Sequence, residues 1–198
     1  TDSLLRIFVI TALGKLGDEE IIAETRKRFN RFLKNKNSLA ADLQEPVFVL
    51  MAWQGDKKTY NKLLSLYRKS TLQEEKIRFL IAMCNFKQKN LLVKTLNLAL
   101  TSEVRSQNIR VPIMGVSANI HGRTILWPWL KSHWKKLVVK FGVGNPLANR
   151  IVASVGGVID NKQEKDVRNF FKRNPLPGTE RVIEQTLERV RIRSNFLR

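Results

Sequence analysis

The residues whose types could do chemistry are few, and their spacing argues against a metal site. The only two histidines, His121 and His133, lie twelve residues apart, and neither has an acidic neighbour. A helical zinc site of the peptidase kind needs two histidines four residues apart together with a glutamate. We therefore predict no metal site and no cofactor in this chain, and we interpret His133 as a packing or surface residue.

Two glycine-containing stretches resemble catalytic or cofactor motifs, and each lacks an essential part. The stretch Gly115-Val-Ser117-Ala-Asn119 ends in asparagine where a nucleophile elbow needs glycine, and no predicted strand precedes its serine. The stretch Gly142-Val-Gly144 begins like a dinucleotide-binding loop, but a leucine stands where the third glycine belongs. We predict that no catalytic residue lies in this chain and that it is not an enzyme by itself.

The charge balance raises nucleic acid or an acidic partner as candidates. Lysine and arginine number 36 against 17 acidic residues, a net charge of +19. The basic residues share helices with apolar stripes, as solvated helix faces do, and Trp127, Trp129 and Trp134 have the spacing of core residues rather than of base-stacking ones. We predict weak, non-specific nucleic-acid binding only.

Composition is typical of a globular protein of one domain. Hydrophobic residues make up 43% of the 198, and no apolar run approaches the roughly 18 residues that a membrane span requires. The single cysteine, Cys84, lies in an apolar run and is interpreted as a small buried residue. No Asn-x-Ser/Thr glycosylation site is present, which favours a cytoplasmic location.

The elements that must position any site are helices. The apolar residues recur with helical period almost throughout, which predicts an all-α fold of about eleven helices with short connections and no strand. In the first helix, Leu5, Phe8 and Leu16 share the apolar face that we expect to pack inward. Near the C-terminus we predict a helix over residues 147–159 and another that Thr179 caps.

An internal repeat organises the first half of the chain. The pairs Gly17-Asp18 and Gly55-Asp56 lie 38 residues apart, and each is followed by an aromatic residue eleven positions beyond its aspartate. Glycine ends one helix of a hairpin, and aspartate caps the antiparallel partner. Because a single hairpin cannot bury its apolar face, neighbouring hairpins must stack. The repeat predicts a curved stack of HEAT- or armadillo-like hairpins over residues 1–198, as one helical-repeat domain.

Two stretches are more specific than the repeat. One runs from Arg105-Ser-Gln-Asn108 through Asn119-Ile-His-Gly122 to a helix with Trp127, Leu130 and Trp134; the other is Asn174-Pro-Leu-Pro-Gly178 before the last helix. Both resemble the C-terminal helical domain of zinc aminopeptidases of the aminopeptidase N, endoplasmic-reticulum aminopeptidase and tricorn-interacting-factor type. The similarity covers essentially the whole chain, with Asn108 and Pro128 as departures from the family pattern.

The resemblance implies a function in which this chain is a C-terminal fragment of a longer enzyme. In that family a HEAT-like bowl encloses the peptide over a zinc-containing catalytic domain, and it limits which peptides reach the metal. The chain begins Thr1-Asp2 with an apolar pattern that starts at once, which we also interpret as a fragment. We expect the catalytic domain of the parent and a peptide substrate as partners, zinc in the absent domain, and no membrane span.

Three basic residues are the candidate substrate-binding positions. If the amino end of a peptide lies at the zinc, its carboxylate reaches toward the helical domain, where Lys or Arg near a helix N-terminus stabilises it. Lys87, Arg105 and Arg123 precede or open predicted helices. A position that is expected to be basic in the family is Asn85 here. The alternative is that Arg105 and Arg123 bond backbone carbonyls and only hold loops together.

Two other functions stay open on the sequence. One is a stand-alone α-solenoid module that binds a protein or a peptide. The other is a basic helical-repeat protein that binds nucleic acid. A zinc motif upstream in the reading frame would separate the first from the aminopeptidase lobe, and salt-dependent DNA binding would favour the second.

Overall fold

The computed structural model describes residues 2–142, 145–157, 159–160 and 163–196, without the side chains of 2–4 and 193–196. Within this part of the chain the fold is all-α, as predicted, and contains no strand. None of its helices is both long enough and apolar enough to cross a membrane. Its eleven α-helices are α1 (Asp2–Leu16), α2 (Glu19–Lys34), α3 (Ala41–Gln54), α4 (Lys57–Lys69), α5 (Gln73–Met83), α6 (Lys89–Ala99), α7 (Arg110–Ala118), α8 (Arg123–Phe141), α9 (Leu147–Val155), α10 (Glu164–Arg173) and α11 (Glu180–Phe196).

The chain divides into two compact units. The first unit comprises residues 1–95 and the second comprises residues 96–198, so helix α6 begins in one and ends in the other. Two short 3-10 helices, Lys36–Ser38 and Ser106–Asn108, occupy connections within these units.

The two turns of the sequence repeat form as predicted in the first unit. Asp18 accepts a hydrogen bond from the amide of Ile21, and Asp56 accepts from the amides of Lys58 and Thr59. The two positions require glycine for different reasons. Gly17 has a φ of 102°, a conformation that disfavours side chains, whereas a Cβ on Gly55 would lie 2.5 Å from the carbonyl oxygen of Met51.

Aromatic side chains from three helices form the core of the first unit. Phe48 of α3 lies at the centre, with ring centroids 6.0 Å from Phe29 and 4.9 Å from Phe32 of α2. Phe79 of α5 stacks on Phe48 with ring centroids 4.8 Å apart. Because α3 packs against α1, α2 and α5, this one helix organises the hairpins around it.

The apolar face predicted for α1 is largely exposed rather than buried. Phe8 is 71% exposed and Leu16 is 85% exposed, whereas Gly14 is buried, and a Cβ on it would lie 2.6 Å from the side chain of Leu50 of α3. The helical period was correct, but the buried position of α1 is Gly14 rather than one of these large side chains. An outward stripe of Leu5, Phe8, Val9, Leu13 and Leu16 is left, which we call the α1 apolar stripe.

The core of the second unit is built on tryptophan. Trp134 is 5% exposed, and its ring meets Phe170 and Phe171 of α10 at centroid distances of 5.8 and 5.3 Å. Trp127 meets Phe170 at 5.2 Å. The prediction that Trp134 is a core residue is confirmed.

Near the C-terminus, one predicted helix boundary was wrong and one was confirmed. Helix α9 ends at Val155 because Gly156 and Gly157 follow it, whereas Ile159 lies beyond the helix. Helix α11 begins directly after Thr179, as predicted, and the carbonyl of Thr179 accepts from the amide of Ile183. The Thr179 hydroxyl donates to the carbonyl of Leu176 rather than accepting from the first turn of the helix. In the stretch Gly142-Val-Gly144, Val143 and Gly144 lie outside the described residues.

Candidate functional site

Lys87, one of the three predicted binding residues, lies in a cluster of cations on an indole ring. It is exposed in the connection between α5 and α6, with its Nζ 5.0 Å from the ring centroid of Trp53. The Nζ of Lys15, at the end of α1, also lies 5.0 Å from that centroid. A cation over an indole ring is attracted by the negative face of the ring. We call Lys15, Trp53, Asn85 and Lys87 the lysine–tryptophan cluster.

Asn85 has a defined orientation within this cluster. Its side-chain amide donates to the carbonyl oxygen of Ile81 at 2.8 Å, so its Oδ1 is left to accept from the Nζ of Lys15 at 2.8 Å. Half-burial lowers the pKa of Lys15 through desolvation. The position where the family is expected to be basic therefore holds a neutral residue, and a neighbouring helix supplies a lysine that contacts it.

Glutamine side chains hold the backbone around the lysine–tryptophan cluster. Gln54 donates to the carbonyl of Gly14 at 3.4 Å, and Gln88 donates to the carbonyl of Gly55 at 3.0 Å. The first bond ties the end of α3 to α1, and the second ties the residue after α3 to the residue that follows Lys87. The first unit thus positions Lys87 through its repeat turns, while the ammonium group itself is open to solvent.

Arg105 is placed by the backbone rather than by its side chain. It precedes the 3-10 helix Ser106–Asn108, and its carbonyl accepts from the amide of Asn108 at 2.8 Å. Its side chain is exposed and forms no hydrogen bond or ion pair with another described residue. The alternative that Arg105 holds a loop through backbone carbonyls therefore receives no support within the described chain.

Arg123 opens α8 and lies at a cleft of the second unit. The cleft has a volume of about 440 Å³ and is walled by α7, the first residue of α8, and α9 with the glycine beyond it; its lining is Met114, Ser117, Ala118, Arg123, Arg150, Ala153, Ser154 and Gly157. Arg150 was not among the predicted site residues. It is one of many basic residues in the sequence, and only the packing of α7 against α9 shows that it shares a cleft with Arg123.

The candidate chemical residues of the sequence have structural roles. The ring of His133 stacks on Trp129 with centroids 4.8 Å apart, as its interpretation as a packing residue requires. Ser117 lies on helix α7, and its hydroxyl donates to the carbonyl of Ser154 at 2.9 Å. Cys84 is buried, and burial raises the pKa of its thiol to about 12. None of these groups is an exposed nucleophile.

The described residues also contain no group of three or more His, Cys, Asp or Glu side chains that could hold a metal ion. The donor set for zinc, at least three such ligands around one point, is therefore not met by these residues. What the predicted positions share is exposed positive charge. Such groups can bind and orient an anion, but they supply neither a nucleophile nor a general base.

The tryptophans that could have stacked on bases are core residues. Trp127 and Trp129 are buried, and their indole nitrogens donate to Asp166 and to Asn97, respectively, each at 2.8 Å. Exposed aromatic platforms are the usual means of binding single-stranded nucleic acid. Trp127, Trp129 and Trp134 thus do not supply the aromatic surface that such binding uses.

Comparison with known proteins gives a family and a set of relatives. The model of the family described as ERAP1-like C-terminal domain matches residues 1–192. Among curated proteins, the chain is 32% identical over 201 residues to Aminopeptidase M1 of Arabidopsis thaliana, a match that covers 99% of the chain. It is 28% identical over 198 residues to Glutamyl aminopeptidase of Bos taurus, with 98% of the chain covered.

These relatives are much longer than the chain. The match spans 23% of the Arabidopsis protein and 21% of the bovine one. A third relative, Alanine/arginine aminopeptidase of Saccharomyces cerevisiae, is 24% identical over 195 residues, and the match spans 23% of its length.

Proposed function

This chain belongs to the ERAP1-like C-terminal domain family, and we propose that it is the non-catalytic C-terminal lobe of a zinc aminopeptidase. In this proposal the lobe helps to enclose the substrate chamber and to select and position peptides whose N-terminal residue is removed. The observation that carries the proposal is the match of the family model to residues 1–192, together with relatives that are named aminopeptidases.

In this proposal the chain binds the peptide and another domain of the parent hydrolyses it, because of the residues that the chain contains. With two histidines twelve residues apart and one buried cysteine, its sequence does not supply the paired histidines of a helical zinc site. In the proposed parent, zinc bound in the catalytic domain would activate the water that hydrolyses the peptide bond. No step of that reaction is assigned to this chain, whose part is to bind and to orient.

The three predicted cations are proposed to act on the distal end of the peptide. Lys87, Arg105 and Arg123 are exposed and each lies just before or at the start of a helix, where partial positive charge adds to that of the side chain. A free carboxylate that leaves water at such a position is stabilised by charge-assisted hydrogen bonds. Through these contacts the lobe would favour peptides with a free C-terminus.

The remaining part of the parent is the proposed partner of the α1 apolar stripe. Large exposed apolar patches mark contact surfaces, and this stripe carries five large side chains on one helix. The relatives have more than three quarters of their length outside the matched region, so polypeptide is available to cover it. A cytoplasmic location stays a prediction from sequence.

The direct test compares this chain with its complete parent. The isolated chain, purified without chelator, should contain no stoichiometric zinc and should not hydrolyse an aminoacyl-anilide. The complete reading frame should encode a helical zinc motif upstream and yield a protein that does hydrolyse it. Stoichiometric zinc and hydrolysis by the isolated chain, or a reading frame without such a motif, would contradict the proposal.

The positions of the cations are tested in the complete enzyme. Lys87→Ala, Arg105→Ala and Arg123→Ala should each be assayed on one peptide with a free C-terminus and on its amide. We expect at least one variant to lower kcat/KM for the free peptide about tenfold, with little effect on the amide. Lys89→Ala and Arg189→Ala, at exposed positions outside the proposed contacts, are the matched controls. If each of the three changes alters kcat/KM equally for the free peptide and for its amide, these cations do not recognise the carboxylate and are only surface charges.

The other two hypotheses are less well supported. A stand-alone peptide-binding solenoid does not explain why matches to long aminopeptidases cover 98–99% of the chain. Nucleic-acid binding lacks exposed tryptophan platforms in the described part of the chain. An anisotropy titration at physiological salt should give weak binding without base preference, and submicromolar affinity with such a preference would favour the nucleic-acid hypothesis.

A further inference from the structure

A cavity of about 280 Å³ lies between helices α1, α2 and α3 of the first unit, and we call it the α1–α3 cavity. Each of the three helices contributes apolar side chains to its wall. These side chains are Ile10, Ile21, Leu43, Pro46 and Val47. An apolar cavity of about 150 Å³ is already large enough to hold benzene, so the α1–α3 cavity can hold a substituted ring.

The residue types of this wall keep the cavity from collapsing. Three of the five apolar residues are isoleucine or valine, whose branching at Cβ leaves few rotamers in a helix, and the ring of Pro46 is fixed to the backbone. Gly14, four residues after Ile10 on the same side of α1, lies so close to α3 that a Cβ on it would be 2.6 Å from the side chain of Leu50. Because α1 is held against α3 at Gly14 and the wall is stiff, the cavity is formed before any ligand binds.

One buried polar group borders the α1–α3 cavity without a partner. Thr25 of α2 lines the cavity and is 5% exposed, and its hydroxyl forms no hydrogen bond with another described residue. Other threonines on helices of this unit bond the carbonyl four residues earlier, as Thr11 does to Ile7 at 2.8 Å and Thr95 to Leu91 at 3.0 Å. A buried hydroxyl without a partner costs free energy, so a ligand that forms a hydrogen bond with Thr25 is favoured.

The charged groups beside the cavity are paired with each other. The guanidinium group of Arg6 on α1 bonds the carboxylate of Asp42 on α3, and the Nε of Arg28 donates to Glu24 at 2.8 Å within α2. A bound anion would have to displace one of these carboxylates, and any charged ligand would lose its water on entering the apolar wall. The cavity therefore favours a neutral molecule.

We propose that the α1–α3 cavity binds a small neutral molecule that consists of an apolar ring and one hydroxyl group, the chemistry of a phenol. The apolar wall takes the ring, and the hydroxyl of Thr25, which can both donate and accept, bonds the hydroxyl of the ligand. Lys87, Arg105 and Arg123 are not among the lining residues, so the proposal does not depend on the function proposed above.

The test is a calorimetric titration of the 198-residue chain with three ligands of similar shape. They are p-cresol, p-xylene, in which a methyl group replaces the hydroxyl, and p-toluate, in which a carboxylate replaces it. We expect saturable binding of p-cresol that is at least as tight as that of the more apolar p-xylene, and p-toluate binding about tenfold weaker or more. No saturable binding of p-cresol, or p-toluate binding as tight as that of p-cresol, would overturn the proposal.

Thr25→Val tests the hydrogen bond, because it removes the hydroxyl and keeps the shape of the side chain. In this variant p-cresol should bind about tenfold more weakly, whereas p-xylene should bind as tightly as before or more tightly. A merely structural change at residue 25 would weaken both ligands together. An unchanged ratio of the two affinities would overturn the proposal.

A pair of variants on α1 locates the binding. Ile10→Phe adds bulk from a half-buried position in the wall and should abolish p-cresol binding while the circular dichroism spectrum stays unchanged. Val9→Phe, the matched control, adds bulk at the next residue, which is 43% exposed and does not line the cavity, and it should have no effect. If the folded Ile10→Phe variant binds p-cresol as the unchanged chain does, the ligand lies elsewhere and the proposal fails.

A last titration separates two sources of the same chemistry, a free phenol and the side chain of a tyrosine in a polypeptide. N-acetyl-tyrosinamide carries the ring and the hydroxyl on a neutral backbone. Binding as tight as that of p-cresol supports a tyrosine side chain as the ligand, and binding more than about tenfold weaker supports a free phenol.

Discussion

The two compact units begin and secure their helices in different ways. In the first unit, Asp18 and Asp56 cap α2 and α4 through bonds to amides only two or three residues away, whereas α3 and α5 have no side-chain cap. In the second unit, none of α7, α8, α9 and α10 has a side-chain capping bond at its N-cap. There, Asp166 of α10 accepts from Trp127 and Lys131 of α8, residues 39 and 35 positions away in sequence.

This difference separates local from tertiary information. A capping bond is determined by residues that are neighbours in sequence, so its contribution is made within one hairpin. A bond between α8 and α10 exists only after the two helices have packed. The first unit thus resembles a repeat protein in its construction, whereas the second depends on one shared cluster of aromatic and charged side chains.

The largest expected effect is in that shared cluster. Trp134→Ala removes a 5% exposed ring that contacts Phe141, Phe170 and Phe171, and it leaves a cavity between α8 and α10. The free energy of unfolding of the second unit should fall by about 3–5 kcal/mol. Urea unfolding followed by far-ultraviolet circular dichroism measures the change.

The matched control for this change lies on the same helix. Val139 of α8 is 84% exposed, so Val139→Ala should leave the free energy of unfolding within about 0.5 kcal/mol of the unchanged chain. Hydrogen exchange should place the loss caused by Trp134→Ala in α8 and α10. Uniform loss of protection in α2 and α4 as well would contradict the description of the two units as separately organised.

The same distinction explains which features could be predicted from the sequence. The period of apolar residues and the Gly-Asp pairs predicted the helices, the repeat turns and the burial of Trp134, because these signals are local or carried by large apolar side chains. The exposure of Phe8 was not predicted, since the period gives the face of a helix but not whether a neighbour covers it. Arg150 was missed because its relation to Arg123 is set by tertiary packing.

The second effect tests the two glycines of the repeat. Gly55→Ala would place a Cβ 2.5 Å from the Met51 carbonyl oxygen and 2.7 Å from the Cβ of Thr59, and we expect a loss of about 1–3 kcal/mol in the free energy of unfolding. Gly17→Ala meets no atom within 4 Å, and its cost arises from the φ of 102° alone, about 1–2 kcal/mol.

A glycine of the second unit serves as the comparison for Gly17. Gly178 has a φ of 86° and likewise has open space around its Cα, so Gly178→Ala should match Gly17→Ala in size. Thermal unfolding of the three variants measures the order. If Gly55→Ala costs less than both others, the close approach at that turn does not explain its glycine.

The third effect is that of the cap on α2. Asp18→Ala removes the acceptor for the amide of Ile21 and should lower the free energy of unfolding by about 1 kcal/mol. Asp18→Asn keeps an acceptor oxygen and should retain most of that stability. Equal losses for the two variants would show that Asp18 acts through its charge on the helix rather than through the hydrogen bond.

The smallest expected effect is the loss of stability at low pH, when Asp166 and Glu164 become protonated. The hydrogen bond from Lys131 lowers the pKa of Asp166 below its ordinary 3.8, and the hydrogen bond from Arg191 lowers the pKa of Glu164 below its ordinary 4.5. Because both pKa values are lower in the folded chain, the stability that they contribute is present above the ordinary values. It is lost as the pH falls through the lowered values. The urea midpoint should therefore fall between about pH 5 and pH 3.

Salt distinguishes these carboxylates from the capping aspartate of the first unit. The pKa of Asp56 is lowered chiefly by the hydrogen bond from the amide of Thr59, which carries no net charge. At 1 M salt the screening length is about 3 Å, so the attraction of Lys131 for Asp166 should weaken while the capping bond persists.

Asp166→Asn should flatten the acid dependence at low salt and make little difference at high salt, because Lys131 has then lost most of its effect. Glu45→Gln in α3 controls for the removal of one negative charge. If wild type and Asp166→Asn lose stability in parallel at both salt concentrations, the ion pair does not stabilise the second unit, and its aromatic core alone holds α8 to α10.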